Sequence, residues 1–116
     1  MLISDLHHVS INVDDLDAAN EFYIDVLGLE RLPRPDFGAA GTWLAAGGRQ
    51  VHLIEVKDVP DDFGQHFAFL VNDLDATIAQ LRDQGVEVSD AVDLTVARQA
   101  FLHDPCGNRL ELNQPA

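Results

Sequence analysis

The sequence predicts an α+β fold in which one βαβββ module occurs twice, and three observations carry that prediction. Residues 8–18 read HVSINVDDLDA and residues 66–76 read HFAFLVNDLDA, so His8 falls on His66, Val13 on Val71, Asp15 on Asp73 and Asp17 on Asp75 at a constant offset of 58. Each copy opens with a strand-like alternation and continues with apolar residues at helical spacing. Each then offers three short strand-like runs parted by proline and glycine turns.

In the first copy, residues 6–13 place His8, Ser10 and Asn12 on one face and Val9, Ile11 and Val13 on the other, as in a half-buried strand. Asp15 or Asp17 can cap the following helix, where Leu16, Ala19, Phe22, Tyr23, Val26 and Leu27 form an apolar stripe and Gly28 supplies the stop. Strands follow at 29–32, 42–45 and 50–56, separated by turn chemistry at Pro33-Arg34-Pro35 and Gly47-Gly48. Residues 58–65, with Pro60 and Gly64, read as a linker between modules 1–57 and 66–116 of a single domain, 1–116. The pattern then restarts. A strand spans 66–71, Leu74, Ile78 and Leu81 stripe a helix ended by Gly85, and strands occupy 86–88, 99–102 and 109–112. The last two flank Asp104-Pro105-Cys106-Gly107-Asn108, a hairpin connection.

The composition excludes several partners. With 20 acidic and 7 basic residues the net charge is −13, which repels nucleic-acid phosphates and anionic membranes. No run approaches the roughly 20 apolar residues of a membrane span. The N-terminus lacks a basic leader and a small-residue cleavage site, and one cysteine excludes an internal disulfide, so a cytoplasmic protein is expected.

The repeat also carries ligand-type side chains. Aligning Trp43-Leu44 with Phe101-Leu102, and the Gly48 turn with the one-residue-longer Gly107 turn, sets His52 opposite Glu111. A duplicated fold thus offers two pairs, His8 with His66 and His52 with Glu111, as a metal-site hypothesis. Strand parity supports it. His8 goes with Ser10 and Asn12, His52 with Ile54 and Val56, His66 with Ala68 and Leu70, and Glu111 with Arg109 and Asn113. The fourth strand fits least well, because Glu55 falls on its apolar, helix-facing side.

The segments HHVSINVDDLDAANEFYIDVLGLE, QVHLIEV, QHFAFLVNDLDATIAQLRDQGVEV and FLHDPCGNRLELNQ, with the FY-x3-LG and DP-x-GN-x-x-E signatures, resemble the vicinal oxygen chelate superfamily. That group includes glyoxalase I, fosfomycin and bleomycin resistance proteins, methylmalonyl-CoA epimerase and extradiol dioxygenases. The resemblance implies an eight-stranded cup built from the paired modules around a divalent metal, with ligands at His8, His52, His66 and Glu111. It implies a homodimer as well, with modules paired within one chain or between subunits. The position of His52 is often Glu or Gln in lyase and epimerase members, so Glu111 is the one carboxylate left as a base.

Three imidazoles and a carboxylate suit zinc, nickel, iron(II) or manganese. Six-coordination would leave two adjacent positions for a small, oxygen-rich substrate, favouring glyoxalase-like proton transfer, isomerisation or addition. His8, His66 and Glu111 alone would form a dioxygenase triad, but His52 would fill one of its open positions. The competing class is a metal-free drug- or metabolite-binding resistance protein, whose members generally lack the ligand set kept here. Trp43 and Phe101 are candidate walls for apolar ligand parts, and Arg98 and Arg109 candidate partners for a substrate carboxylate or phosphate. His7 faces away from His8 and reads as structural, Cys106 reads as an inert thiol, and His103 is a solvent-exposed turn histidine or an acid or base at the rim.

Overall fold

The structure, a computed structural model, describes residues 2–116. It divides into two compact units, Met1–Pro60 and Asp61–Ala116, with the boundary inside the expected 58–65 linker. The first holds β1 (His8–Val13), α1 (Leu16–Asn20, continuing as a π-helical turn over Glu21–Val26), β2 (Glu30–Leu32), β3 (Gly41–Ala46) and β4 (Arg49–Glu55). The second holds β5 (His66–Leu70), α2 (Leu74–Asp83), β6 (Val92–Asp93), β7 (Ala97–His103) and β8 (Arg109–Pro115). Each is the expected βαβββ module. The sheets run β1-β4-β3-β2 and β5-β8-β7-β6, with β1·β4 and β5·β8 parallel and all other pairs antiparallel.

The two helices start alike because the same residues start them. Asp15 and Asp73 each accept a hydrogen bond at 3.0 Å, from the Ala18 and Ala76 amides, satisfying a donor that the first turn leaves orphaned. A second acceptor comes from the end of the last strand of each module. Glu55 Oε2 takes the Leu16 N–H at 3.4 Å, and its repeat partner Gln114 takes the Leu74 N–H at 2.7 Å. Glu55 thus lies on the helix side because it caps the helix, which accounts for the misfit in the fourth strand.

Helix lengths differ by one residue. Thirteen positions separate Asp15 from Gly28, against twelve from Asp73 to Gly85. The extra residue is absorbed as a π-turn, in which the Leu27 N–H reaches back five residues to the Phe22 carbonyl at 2.9 Å. Both helices then stop at their glycines, at φ +82° and +84°, a region that favours glycine. Ala19, Phe22 and Tyr23 of the first helix are buried, as are Leu44 of β3 and Val51 and Leu53 of β4 in the same unit. In the second unit Leu74, Ile78 and Leu81 of α2 are buried, with Leu102, Leu110 and Leu112 of its sheet.

One expected strand is displaced. Residues 86–88 do not form β6, because the Val86 N–H is taken by the Leu81 carbonyl to close α2, and Val88 makes only an isolated bridge to Leu102. Ser89 exchanges bonds with Phe101 through its amide and its hydroxyl, and regular pairing resumes at Val92–Asp93.

Two neighbouring residues of β3 predict opposite effects on stability. A Cβ at Gly41 would collide with the Leu53 carbonyl oxygen, so Gly41→Ala is expected to cost ~1–3 kcal/mol. Thr42 is buried, and its hydroxyl has no hydrogen-bond partner among the described residues. Thr42→Val should therefore be neutral or stabilise by about 1 kcal/mol. Urea unfolding of both variants measures this, and equal destabilisation would contradict it.

Candidate functional site

In the first unit, parallel pairing of β1 with β4 aligns Ser10 with His52 and His8 with Gln50, so His8, Gln50 and His52 share the face turned from α1. Antiparallel pairing sets Trp43 of β3 directly across from His52. The rings stack. His52 lies between Trp43, at 4.4 Å and 8° between planes, and His8, at 4.0 Å and 17°. Phe37 extends the row beyond Trp43 at 5.8 Å, and Arg34 lies over Phe37 at 5.0 Å.

His52 is buried, and its pKa is pushed below the ordinary 6.5 by that burial first, then by His8, His7 and Arg34. It is neutral at pH 7, as a metal ligand must be. Gln50 Oε1 lies 2.8 Å from Nε2 of His52, so in this arrangement the ring carries its proton on Nε2 and ligation there requires Gln50 to turn away. Nδ1 of His7 lies 2.9 Å from Nδ1 of His8. If His8 donates in that bond, its Nε2 lone pair is free to bind.

The second unit repeats the layout with different groups. Parallel pairing of β5 with β8 aligns His66 with Arg109 and Ala68 with Glu111, and β7 sets Phe101 across from Glu111 where Trp43 faces His52. Nε2 of His66 lies 3.1 Å from Oε1 of Glu111, and the other carboxylate oxygen accepts from Asn113 at 2.8 Å. Phe101 meets the edge of His66 at 5.4 Å and carries the Arg109 guanidinium over its face at 4.4 Å.

The His66 tautomer follows from its other nitrogen. Nδ1 lies 2.8 Å from the Gly64 carbonyl, which can only accept, so Nδ1 bears the proton. A neutral His66 then turns the Nε2 lone pair toward a carboxylate oxygen. Two electron-rich atoms at that separation need a cation between them, either a proton or a metal ion. This pair therefore fits the chemistry of a divalent metal, with one imidazole nitrogen and one carboxylate oxygen on a shared face.

The four predicted ligands are thus brought together as two pairs, His8 with His52 and His66 with Glu111. Among the described residues, no three His, Cys, Asp or Glu side chains gather into a metal-holding group. Trp43 lies against His52, Phe101 against His66 and Arg109 over Phe101, while Arg98 is not part of either pair's surroundings. Arg98 lies on the helix side of β7, where its guanidinium binds Asp75 at 3.0 and 3.1 Å and Asp93 at 2.6 Å. Strand parity with Phe101 accounts for the miss: residues three apart point to opposite faces.

His103 is solvent-exposed, and its Nε2 lies 3.0 Å from Oδ2 of Asp62. His7 reaches His8 although it precedes the regular strand. From the sequence, Asn113 is placed only as sharing the face of Glu111, and Gln50 is not singled out. Each stands two residues from a candidate ligand, which in a strand means the same face, and that spacing could have found them. Nothing in the sequence signals the contact from Gly64.

Trp43 is the only tryptophan, so its stack on His52 is a built-in reporter. In metal-free protein, fluorescence should fall on acidification with a midpoint below 6.5, as protonated His52 quenches the indole. His52→Gln should abolish the step. The unfolded chain takes up this proton first, so stability should drop as pH falls from 6.5 toward the lowered value and not depend on His52 above it. A midpoint above 6.5 would contradict the assignment.

Comparison with known proteins agrees with this layout. Residues 5–112 match the Glyoxalase/Bleomycin resistance protein/Dioxygenase superfamily. The chain is 32% identical to a Synechocystis sp. protein named probable lactoylglutathione lyase, over 94% of each chain. The solved structure of a Bacillus anthracis protein assigned to the glyoxalase family is 26% identical and superposes with a TM-score of 0.91, covering 100% of this chain and 98% of that one. TnmS3, an antibiotic binding protein from Streptomyces sp. CB03234, is 30% identical with a TM-score of 0.82, covering 100% and 99%. With two βαβββ modules and a match over nearly its whole length, this chain belongs to the Glyoxalase/Bleomycin resistance protein/Dioxygenase superfamily.

Proposed function

We propose that this protein is a divalent-metal-dependent, glyoxalase-like enzyme that acts on a small oxygen-rich molecule by proton transfer, isomerisation or addition. His8, His52, His66 and Glu111 are its metal ligands. The observation that carries the reading is the His66 Nε2–Glu111 Oε1 approach, with the His66 proton committed to Gly64 on the other nitrogen. A bound divalent ion supplies a Lewis acid for two neighbouring substrate oxygens. Glu111, oriented through Asn113, takes and returns the proton. Arg109, held over Phe101, meets an anionic group of the substrate, while Trp43 and Phe101 contact its apolar parts. The similarity to a relative named probable lactoylglutathione lyase favours a lyase over a dioxygenase. We place it as a cytoplasmic homodimer; among the described residues, no helix is long and apolar enough to cross a membrane.

A second reading has its own support. The stacked row Phe37, Trp43, His52 and His8 offers flat surfaces to a planar ligand, and the similar TnmS3 is described as an antibiotic binding protein. In that reading the histidines hold a drug or metabolite and no chemistry follows.

Elemental analysis of protein purified without chelators or a histidine tag separates the two. The enzyme reading expects about one metal per chain, lost in His66→Ala and Glu111→Ala. It also expects Glu111→Gln to lower kcat by roughly 10²–10⁴ on any substrate turned over by the loaded protein. Nickel or zinc would direct assays to lyase and isomerase substrates, and iron to oxygen chemistry. No metal after refilling with each candidate ion would overturn the enzyme reading and leave the binding protein.

A further inference from the structure

We propose that Asp62 and His103 are positioning residues for His66: the Asp62 carboxylate ties His103 to the Gly64 amide and so holds the Gly64 carbonyl on Nδ1 of His66. The contacts form one chain within the second unit. His103 Nε2 lies 3.0 Å from Asp62 Oδ2, the Gly64 N–H donates to Asp62 Oδ1 at 2.6 Å, and Nδ1 of His66 donates to the Gly64 carbonyl at 2.8 Å. The far nitrogen of His66 then meets Glu111 at 3.1 Å.

The fold makes this reach possible. His103 of β7, Arg109 of β8 and His66 of β5 are register neighbours in one row across the sheet. Asp62 lies on the segment entering β5, and its bond to His103 spans that row. Gly64 sits at φ +97°, where a side chain is strained, so one residue can offer its N–H to Asp62 and its carbonyl to the ring. Asp62 is held below the ordinary carboxylate range by the His103 hydrogen bond first and the Gly64 amide second, so it stays an acceptor across the neutral range.

The device differs between the two modules in what meets the histidine ring. At the offset of 58, Gly64 falls on Leu6, whose N–H is also taken by a carboxylate, that of Asp5 at 2.6 Å, with Arg49 donating to Asp5 at 2.9 Å. In the first unit His8 is met by its neighbour His7 instead. The second module therefore sets a carbonyl, and not a second ring, on the proposed ligand histidine that faces Glu111. Without that support, His66 is free to place its proton on Nε2 and donate to Glu111, which blocks the nitrogen proposed to bind metal. Outer-shell partners of ligating histidines fix the tautomer in this way.

The proposal rests on the reading of His66 as a ligand only for its consequence, and its test does not need metal. Long-range proton–nitrogen correlation spectra of the nitrogen-15-labelled, metal-free full chain at about pH 8 report the tautomer of His66 directly. Wild type is expected to show a proton on Nδ1, whether or not a second lies on Nε2 toward Glu111. Asp62→Ala should lose it and leave the proton on Nε2 alone, whereas Asp62→Asn, which keeps an oxygen for the Gly64 amide, should restore Nδ1–H. His103→Ala should shift the populations partway and His103→Gln, whose amide can still donate to Asp62, should reverse that. An Asp62→Ala protein that keeps Nδ1–H overturns the proposal, even if wild type binds zinc. In zinc titrations Asp62→Ala should lose about 10- to 100-fold in affinity, with Asp62→Asn recovering most of it. Failure of wild type to bind zinc would sink the ligand reading alone, with the tautomer still deciding this one.

Discussion

The parallel pairing of the first and last strands in each module is the constraint on which everything else depends. Once β1 lies beside β4 and β5 beside β8, strand parity decides which side chains share a face. The apolar residues at alternate positions go to the helix, and what remains gathers on the other side. His8 meets His52, and His66 meets Glu111, without any loop having to place them. Rigid elements hold such constellations more tightly than loops do. The same parity sends Arg98 to the helix side, where Asp75 and Asp93 neutralise it.

Comparison of the two modules separates structural needs from site needs. The helix-capping pair is kept in kind, Asp15 with Glu55 and Asp73 with Gln114, because each helix start has the same orphan donors. The polar face has diverged. Where one module stacks three rings, the other sets an imidazole against a carboxylate, with an arginine over the adjacent phenylalanine. Even the one-residue excess in the first helix leaves the capping and the glycine stop intact, since a π-turn takes it up locally.

Much of this was legible in the sequence because two periodicities and a repeat are strong signals. The element order, an aspartate cap for the first helix, both glycine stops, and the shared face of His8 with His52 and of His66 with Glu111 follow from them. The misses have local causes. Residues 86–88 look like a strand, but the Val86 amide was needed to close α2, a demand that periodicity does not register. Glu55 looked out of place because a strand pattern does not show that its side chain reaches a helix terminus. The bonds from Gly64 to His66 and from Asp62 to His103 depend on the path of an irregular segment, and no period encodes that path.

The substitution pattern of the proposed ligand set also bears on its chemistry. Three neutral imidazoles and one carboxylate leave a divalent ion with a net positive charge, whereas a second carboxylate at the position of His52 would cancel it. A more electrophilic centre binds and stabilises developing negative charge on substrate oxygens better. Under the proposed function the cost is the loss of a base, which would leave Glu111 to serve as ligand and as proton carrier. The two oxygens of Glu111 have different partners, which would suit such a double duty. Oε1 faces His66 while Oε2 is held by Asn113, so each oxygen already has a separate environment before any ligand arrives. Burial of His52 acts in the same direction, because a ring that resists protonation keeps its lone pair available at the pH where a carboxylate is ionised.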